Sequence, residues 1–231
     1  MNDTPARPIQ PSLFAFAVFY GGMVCIAGVL GNKQIAPWPI TDIGQVIMGR
    51  PLAVEAGIFA FLLLVATSSA VAELHGRETA NRLVLIGFIP LIASLLLTLL
   101  VLAVPASSDM QPDRLAAFET MMKGTPRIWI GGIVAYGTST LLNVAIFSRL
   151  RRESGRLLFL RSAIASMTSQ IVDTLIFITI AFYGVFPIGE LLLGQMLAKV
   201  VLSAILVPIV IMLLVRIGRR LDGARATLNG L

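Results

Sequence analysis

The sequence predicts an all-α integral membrane protein of six transmembrane helices with both termini in the cytoplasm. Three observations lead there. Of the 231 residues, 57% are hydrophobic and only 13% are charged, and the mean hydropathy is +0.89, beyond what a soluble domain of this length shows. Apolar runs of about 20 residues, each long enough to cross roughly 30 Å of hydrocarbon, recur along the chain. The cationic residues also divide unequally between alternate connections. One side collects Arg7, Arg77, Arg82, Arg149, Arg151, Arg152, Arg156, Arg161, Arg216, Arg219, Arg220 and Arg225, while the other holds only Lys33, Arg50, Arg114, Lys123 and Arg127. The positive-inside rule puts the arginine-rich side, and with it both ends, in the cytoplasm of a multi-pass protein of a bacterial inner membrane. The same rule accounts for the net charge of +6, so no nucleic-acid partner is implied and the lipid bilayer is the partner that composition requires.

Residues 1–11 (MNDTPARPIQP) are polar and proline-rich and lack the apolar core and small-residue cleavage site of a signal peptide, so they are expected to persist as a cytoplasmic tail. Residues 12–215 form the transmembrane domain, and 216–231 a basic cytoplasmic tail. Span one runs from Ser12 to Gly31. Its Gly21, Gly22, Gly28 and Gly31 permit close helix approach, within the chain or across a homodimer interface. The lone Cys25 excludes an internal disulfide and reads as a packing residue. After Asn32-Lys33, the breakers Pro37, Pro39, Gly44, Gly49 and Pro51 predict a loop, with Trp38 suited to the membrane interface. Span two, Leu52–Ala72, leads into the polar stretch Glu73–Arg82, and span three follows from Leu83 to Val104. Pro105–Pro126 reads as a charged loop with a short interfacial helix (RLAAFETMM) in its middle. Span four is Arg127–Phe147, and an arginine-rich connection joins it to span five, Ser162–Tyr183. A short turn, Gly184–Gly189, leads to span six, Glu190–Val215, where Pro208 predicts a kink.

The chemistry of interest lies inside the spans. An Asp at the centre of a membrane helix costs at least about 2.5 to 3.5 kcal/mol, so Asp173 must face protein or water. Ser166, Gln170, Asp173 and Phe177 fall at i, i+4, i+7 and i+11 and share one helical face. On span six Gln195, Lys199 and Ser203, four apart, share another. The short turn makes the two helices antiparallel neighbours and brings Asp173 and Lys199 to similar depth. Such a pair either locks two helices together or lines a solute site, and Gln170 and Gln195 beside it favour the solute site. Asn143 on span four either joins that site or bonds a neighbouring helix.

Other features carry less. Glu73 and Arg77, one helical turn apart, suit a surface ion pair, and the only histidine, His75, sits in a charged loop where solvation is its ordinary state. There is no Cys/His cluster, glycine-rich phosphate loop or Gly-x-Ser-x-Gly motif, so no metal, no cofactor and no enzyme is predicted.

The segments TPRIWIGGIVAYG, LNVAIFSRL and above all FLRSAIASMTSQIVDTLIFITIAFYG are similar to the vitamin uptake transporter family, whose characterised members are queuosine precursor transporters. The fifth-span pattern of that family is matched by Arg161, Ser166, Ser169, Gln170, Asp173, Thr174 and Phe177. Asn32-Lys33 resembles its first-span end, and Gln195 with Lys199 its sixth span. The resemblance covers roughly Gly21 to Pro208. It departs in span two, where the family's proline and membrane aspartate are Leu62 and Ser69, while Glu73 and Gly76 are kept.

The resemblance implies import of queuosine precursors, namely 7-cyano-7-deazaguanine, 7-aminomethyl-7-deazaguanine or the queuine base. Asp173 or Glu73 would accept from the N1–H and exocyclic amine of the base. Gln170, Gln195 and Asn143 would complete its edge, Lys199 would balance charge, and Phe177, Trp129 or Phe61 would stack on the ring. Ser166, Asn32 and Lys33 join the expected substrate-binding set. Two readings stand against a self-sufficient carrier: a substrate-capture subunit for another vitamin-like solute that needs a separate ATPase, and an intramembrane enzyme or scaffold.

Overall fold

The computed structural model describes residues 10–150 and 158–228, and their side chains except at 48, 140–141, 143–150, 158–167, 169, 203–204 and 224–228. Within them the protein is mostly helical. In order come α1 (Pro11–Leu30), β1 (Gln34–Ile35), α2 (Ile40–Met48), β2 (Val54–Glu55), α3 (Ile58–His75), α4 (Arg77–Ile86), α5 (Phe88–Ala103), α6 (Pro112–Leu150), α7 (Leu158–Phe182) and α8 (Ile188–Leu228). By length and composition α1, α3 and the stretch Arg77–Ala103 can each cross a membrane, as can Ile188–Leu202 and Ile205–Gly223 taken as one span. The molecule is a multi-pass membrane protein. It divides into two compact units, the first made of residues 1–27, 59–93 and 201–231, the second of 28–58 and 94–200.

In the first unit Phe16, Tyr20 and Val24 recur every four residues and give α1 one buried face, packed with Val71, Ala80 and Leu83. Gly87 admits Tyr20 there, since a Cβ would lie 2.5 Å from its Cε1. Ser12, fully buried, donates its backbone N–H (3.0 Å) and hydroxyl (2.7 Å) to the Asp222 carboxylate, which thereby caps α1. Its oxygen also lies 2.8 Å from His75 Nε2. His75 is thus the end of α3 held to Ser12, not a solvated loop residue. The expected Glu73–Arg77 turn does not form either. Gly76, at φ 86°, puts the two residues on different helices, and Arg82 pairs with Glu78 instead, at 2.6 Å.

The second unit departs from expectation in three places. The connection after α1 is not irregular throughout. Ile40–Met48 forms α2, ended by Gly49 at φ 67°, whose N–H bonds Gln45 O. Trp38 stays 79% exposed, as an interfacial residue would. Residues 52–57 are not the start of a span. Val54 and Glu55 pair antiparallel with Ile35 and Gln34, and Glu55 Oε2 accepts the Gly57 N–H at 2.8 Å, so α3 begins only at Ile58. Finally, the loop with a short interfacial helix is one long helix with span four. Pro112 suits the first position of α6, and the whole helix, about 58 Å at 1.5 Å per residue, runs through Gly124-Thr125-Pro126 without a break. The Thr125 hydroxyl donates to Met121 O at 3.1 Å and accepts from Asn32 Nδ2 at 2.8 Å, which holds the stretch that local propensity would break. In the first unit the basic tail continues α8 to Leu228, and Pro208 lies inside that helix.

Helices α6 and α7 pack on each other. Ile128, Ile178, Ala181, Phe182 and Leu191 form the core there, with Phe177 against it, and Phe177 meets Phe182 edge to face at 6.0 Å. Arg127 caps α7 by donating to Ile180 O (3.0 Å) and Tyr183 O (2.9 Å). The tightest approach is Gly194 of α8 against Ala53, where an added Cβ would run into the Ala53 carbonyl. Because the obstacle is backbone, Gly194→Ala should lower stability by about 1 to 3 kcal/mol. A purified variant whose thermal midpoint matches the parent would show that this contact has room to relax.

Candidate functional site

The second unit brings two polar groups of opposite charge and several amides into its interior. Lys199 of α8 donates to Asp173 Oδ2 at 2.8 Å and to Thr174 Oγ1 at 3.0 Å, both on α7. Asp173 Oδ1 accepts the Ser139 hydroxyl from α6 at 3.1 Å. The side chains of the pair are only 11% and 16% exposed, so removal from water is offset by the ion pair and its hydroxyl partners. The expected pairing across the short turn is what the structure shows.

One turn earlier on α8, Gln195 is 2% exposed and donates its Nε2 to Glu55 Oε1 at 3.1 Å. Glu55 is itself buried, on the ribbon ahead of α3. Burial pushes its carboxyl from the ordinary 4.5 up to about 7, while the Gly57 and Gln195 hydrogen bonds and the Lys199 charge act in the lowering direction. Three buried atoms have no hydrogen-bond partner among the described residues: Gln195 Oε1, Trp129 Nε1 and Gln34 Nε2. Trp129 lies against Gly28, and Gly31, three residues on, lies against Glu55 Oε2 and Ile128. The last turn of α1 is thus lined by residues of the ribbon and of α6.

The expected set divides accordingly. Asp173, Lys199, Gln195 and Trp129 lie in this interior, and Asn32 is tied to Thr125 beside it. Phe177 is part of the α6–α7 core. Gln170 is exposed, because the buried stripe of α7 is Thr174, Ile178 and Ala181, adjacent to the stripe that spacing picked out. Lys33 is exposed, and its carbonyl accepts the Ala56 N–H at 2.8 Å. Phe61 and Glu73 belong to the first unit, with Glu73 exposed. The side chains of Asn143 and Ser166 lie outside the described residues. Sequence reasoning passed over Glu55, Ser139 and Thr125. For Glu55 the signal was present, an acid at the edge of the apolar run LAVEAGIFAF.

Membrane helices that aim a carboxylate, an ammonium group, hydroxyls and buried amides into one interior have the design of a solute transporter. The chain belongs to the vitamin uptake transporter family: the family model described as "Putative vitamin uptake transporter" matches residues 55–213. It is also 35% identical over 147 residues to the "Probable queuosine precursor transporter" of Bacillus subtilis (strain 168), a match that covers 59% of this chain and 61% of that relative. The chain therefore aligns with less than two thirds of the relative's length. Both names describe transporters and not enzymes. No solved structure matches the chain.

Proposed function

We propose that the protein imports a queuosine precursor, a 7-deazaguanine-type base, across the bacterial inner membrane as a six-span carrier with cytoplasmic termini. The observation that carries this reading is the buried polar interior of the second unit, where Asp173, Lys199, Glu55 and Gln195 offer acceptors and donors that a lipid-facing helix bundle has no use for. A flat, mostly neutral base with donors on one edge and a carbonyl beside them matches such a surface. The relative's name supports the substrate class. Proteoliposomes containing only this chain should accumulate labelled 7-cyano-7-deazaguanine and discriminate against guanine. Uptake that appears only when an ATPase module is added would refute the self-sufficient carrier, and indifference between the two bases would refute the substrate.

A further inference from the structure

Asp173, largely enclosed, and Glu55, buried, are two acids of the second unit that are used differently. Asp173 has both oxygens committed, one to Lys199 and one to Ser139. Glu55 is 4% exposed, and what holds its oxygens is uncharged: the Gln195 amide and the Gly57 N–H. A carboxylate oxygen accepts more than one hydrogen bond, so Glu55 keeps capacity to spare. Gln195 Oε1, on the amide that Glu55 holds, is buried without a partner among the described residues, and so is the Trp129 indole N–H. Buried polar atoms are nearly always partnered, and exceptions call for a functional explanation. Here they sit around the last turn of α1, where Gly28 admits Trp129 and Gly31 admits Glu55.

We propose that Glu55, flanked by Gln195 and by the Trp129 indole N–H, recognises the hydrogen-bonding edge of the solute, and that Asp173 and Lys199 position this surface without touching the solute. The inference rests on the reading of the chain as a carrier of a deazaguanine-type base. Two adjacent donors of such a base, its ring N–H and exocyclic amine, address one carboxylate together, and this bidentate, charge-assisted geometry is the stronger kind. The indole N–H then serves a carbonyl on the same edge, and Gln195 Oε1 accepts a remaining donor. The expected Asp173 contact with the base is thereby replaced: an acid already neutralised by lysine gains less from it.

The test uses the full-length protein in detergent, with binding of 7-cyano-7-deazaguanine and of its analogue without the exocyclic amine. The parent should prefer the amine-bearing base. Glu55→Gln preserves shape and can keep one of the two intramolecular contacts, since its amide nitrogen cannot accept the other, and should weaken binding of that base by about 10-fold to 100-fold while leaving the analogue much less affected. Trp129→Phe, which removes the indole nitrogen and keeps an aromatic ring beside Gly28, should weaken both ligands alike, and remains informative if the Glu55 variant does not fold. If Glu55→Gln and Trp129→Phe bind as the parent does while Asp173→Asn does not, the assignment is overturned and the substrate class survives. If the parent itself binds neither ligand, the substrate reading fails, and this inference with it.

Discussion

Lys199→Ala is expected to destabilise the protein by about 3 to 5 kcal/mol, the cost of leaving one member of a buried pair without the other. Asp173 would keep the Ser139 hydroxyl at 3.1 Å but lose the ammonium group held at 2.8 Å, in an interior where water reaches it poorly. Uptake should fall to background, because α7 and α8 would no longer hold Gln195 and its neighbours in register. The double variant Asp173→Asn, Lys199→Gln removes both charges and keeps hydrogen-bonding capacity, so its thermal midpoint should return most of the way to the parent's. Equal midpoints for Lys199→Ala and the parent would mean that the pair holds nothing together.

The second large effect is a pH dependence centred on Glu55. Its carboxyl titrates at about 7 in the folded protein against 4.5 ordinarily, so between those values the folded state holds a proton that the unfolded chain has released. Stability from this group is therefore greatest at the acid end and is lost as pH rises through the window, by about 3 kcal/mol at about 1.4 kcal/mol per pH unit. Glu55→Gln, which cannot ionise, should be the more stable protein at pH 8 and should lose that advantage by pH 5. Thermal midpoints of both proteins across this range check the prediction. Parallel curves would show that Glu55 is not the group responsible.

How much of this was legible in the sequence depended on how local the cause was. Asp173 and Lys199 were readable because each is a charge in an apolar span and a short turn forces their helices together. Glu55 carried a weaker signal, an acid beside an apolar run, and its burial comes from a two-residue ribbon and from Gln195, 140 positions away, which no periodicity reports. The continuity of α6 was hidden for a related reason. Gly124 and Pro126 are helix breakers by propensity, and the Asn32–Thr125 bond, between residues 93 positions apart, accompanies the helix through them; tertiary context overrides such weak priors. The helical face of α7 was read one position out, since Thr174, fully hydrogen-bonded to Lys199 and to Gln170 O, lies in the core while Gln170 does not. His75 shows the same limit: its partner Ser12 is shared with Asp222, 210 residues further on.

The most direct test of the central claim is binding of deazaguanines to the purified full-length protein, read as a shift in thermal midpoint, with guanine, biotin and riboflavin as comparators. Stabilisation by 7-cyano- and 7-aminomethyl-7-deazaguanine alone is the predicted result, since only they combine the donor edge that Glu55 accepts with the substituted ring. No shift with either, or a shift with biotin or riboflavin instead, would contradict it and would leave the membrane fold and the family as the only parts of the account to keep.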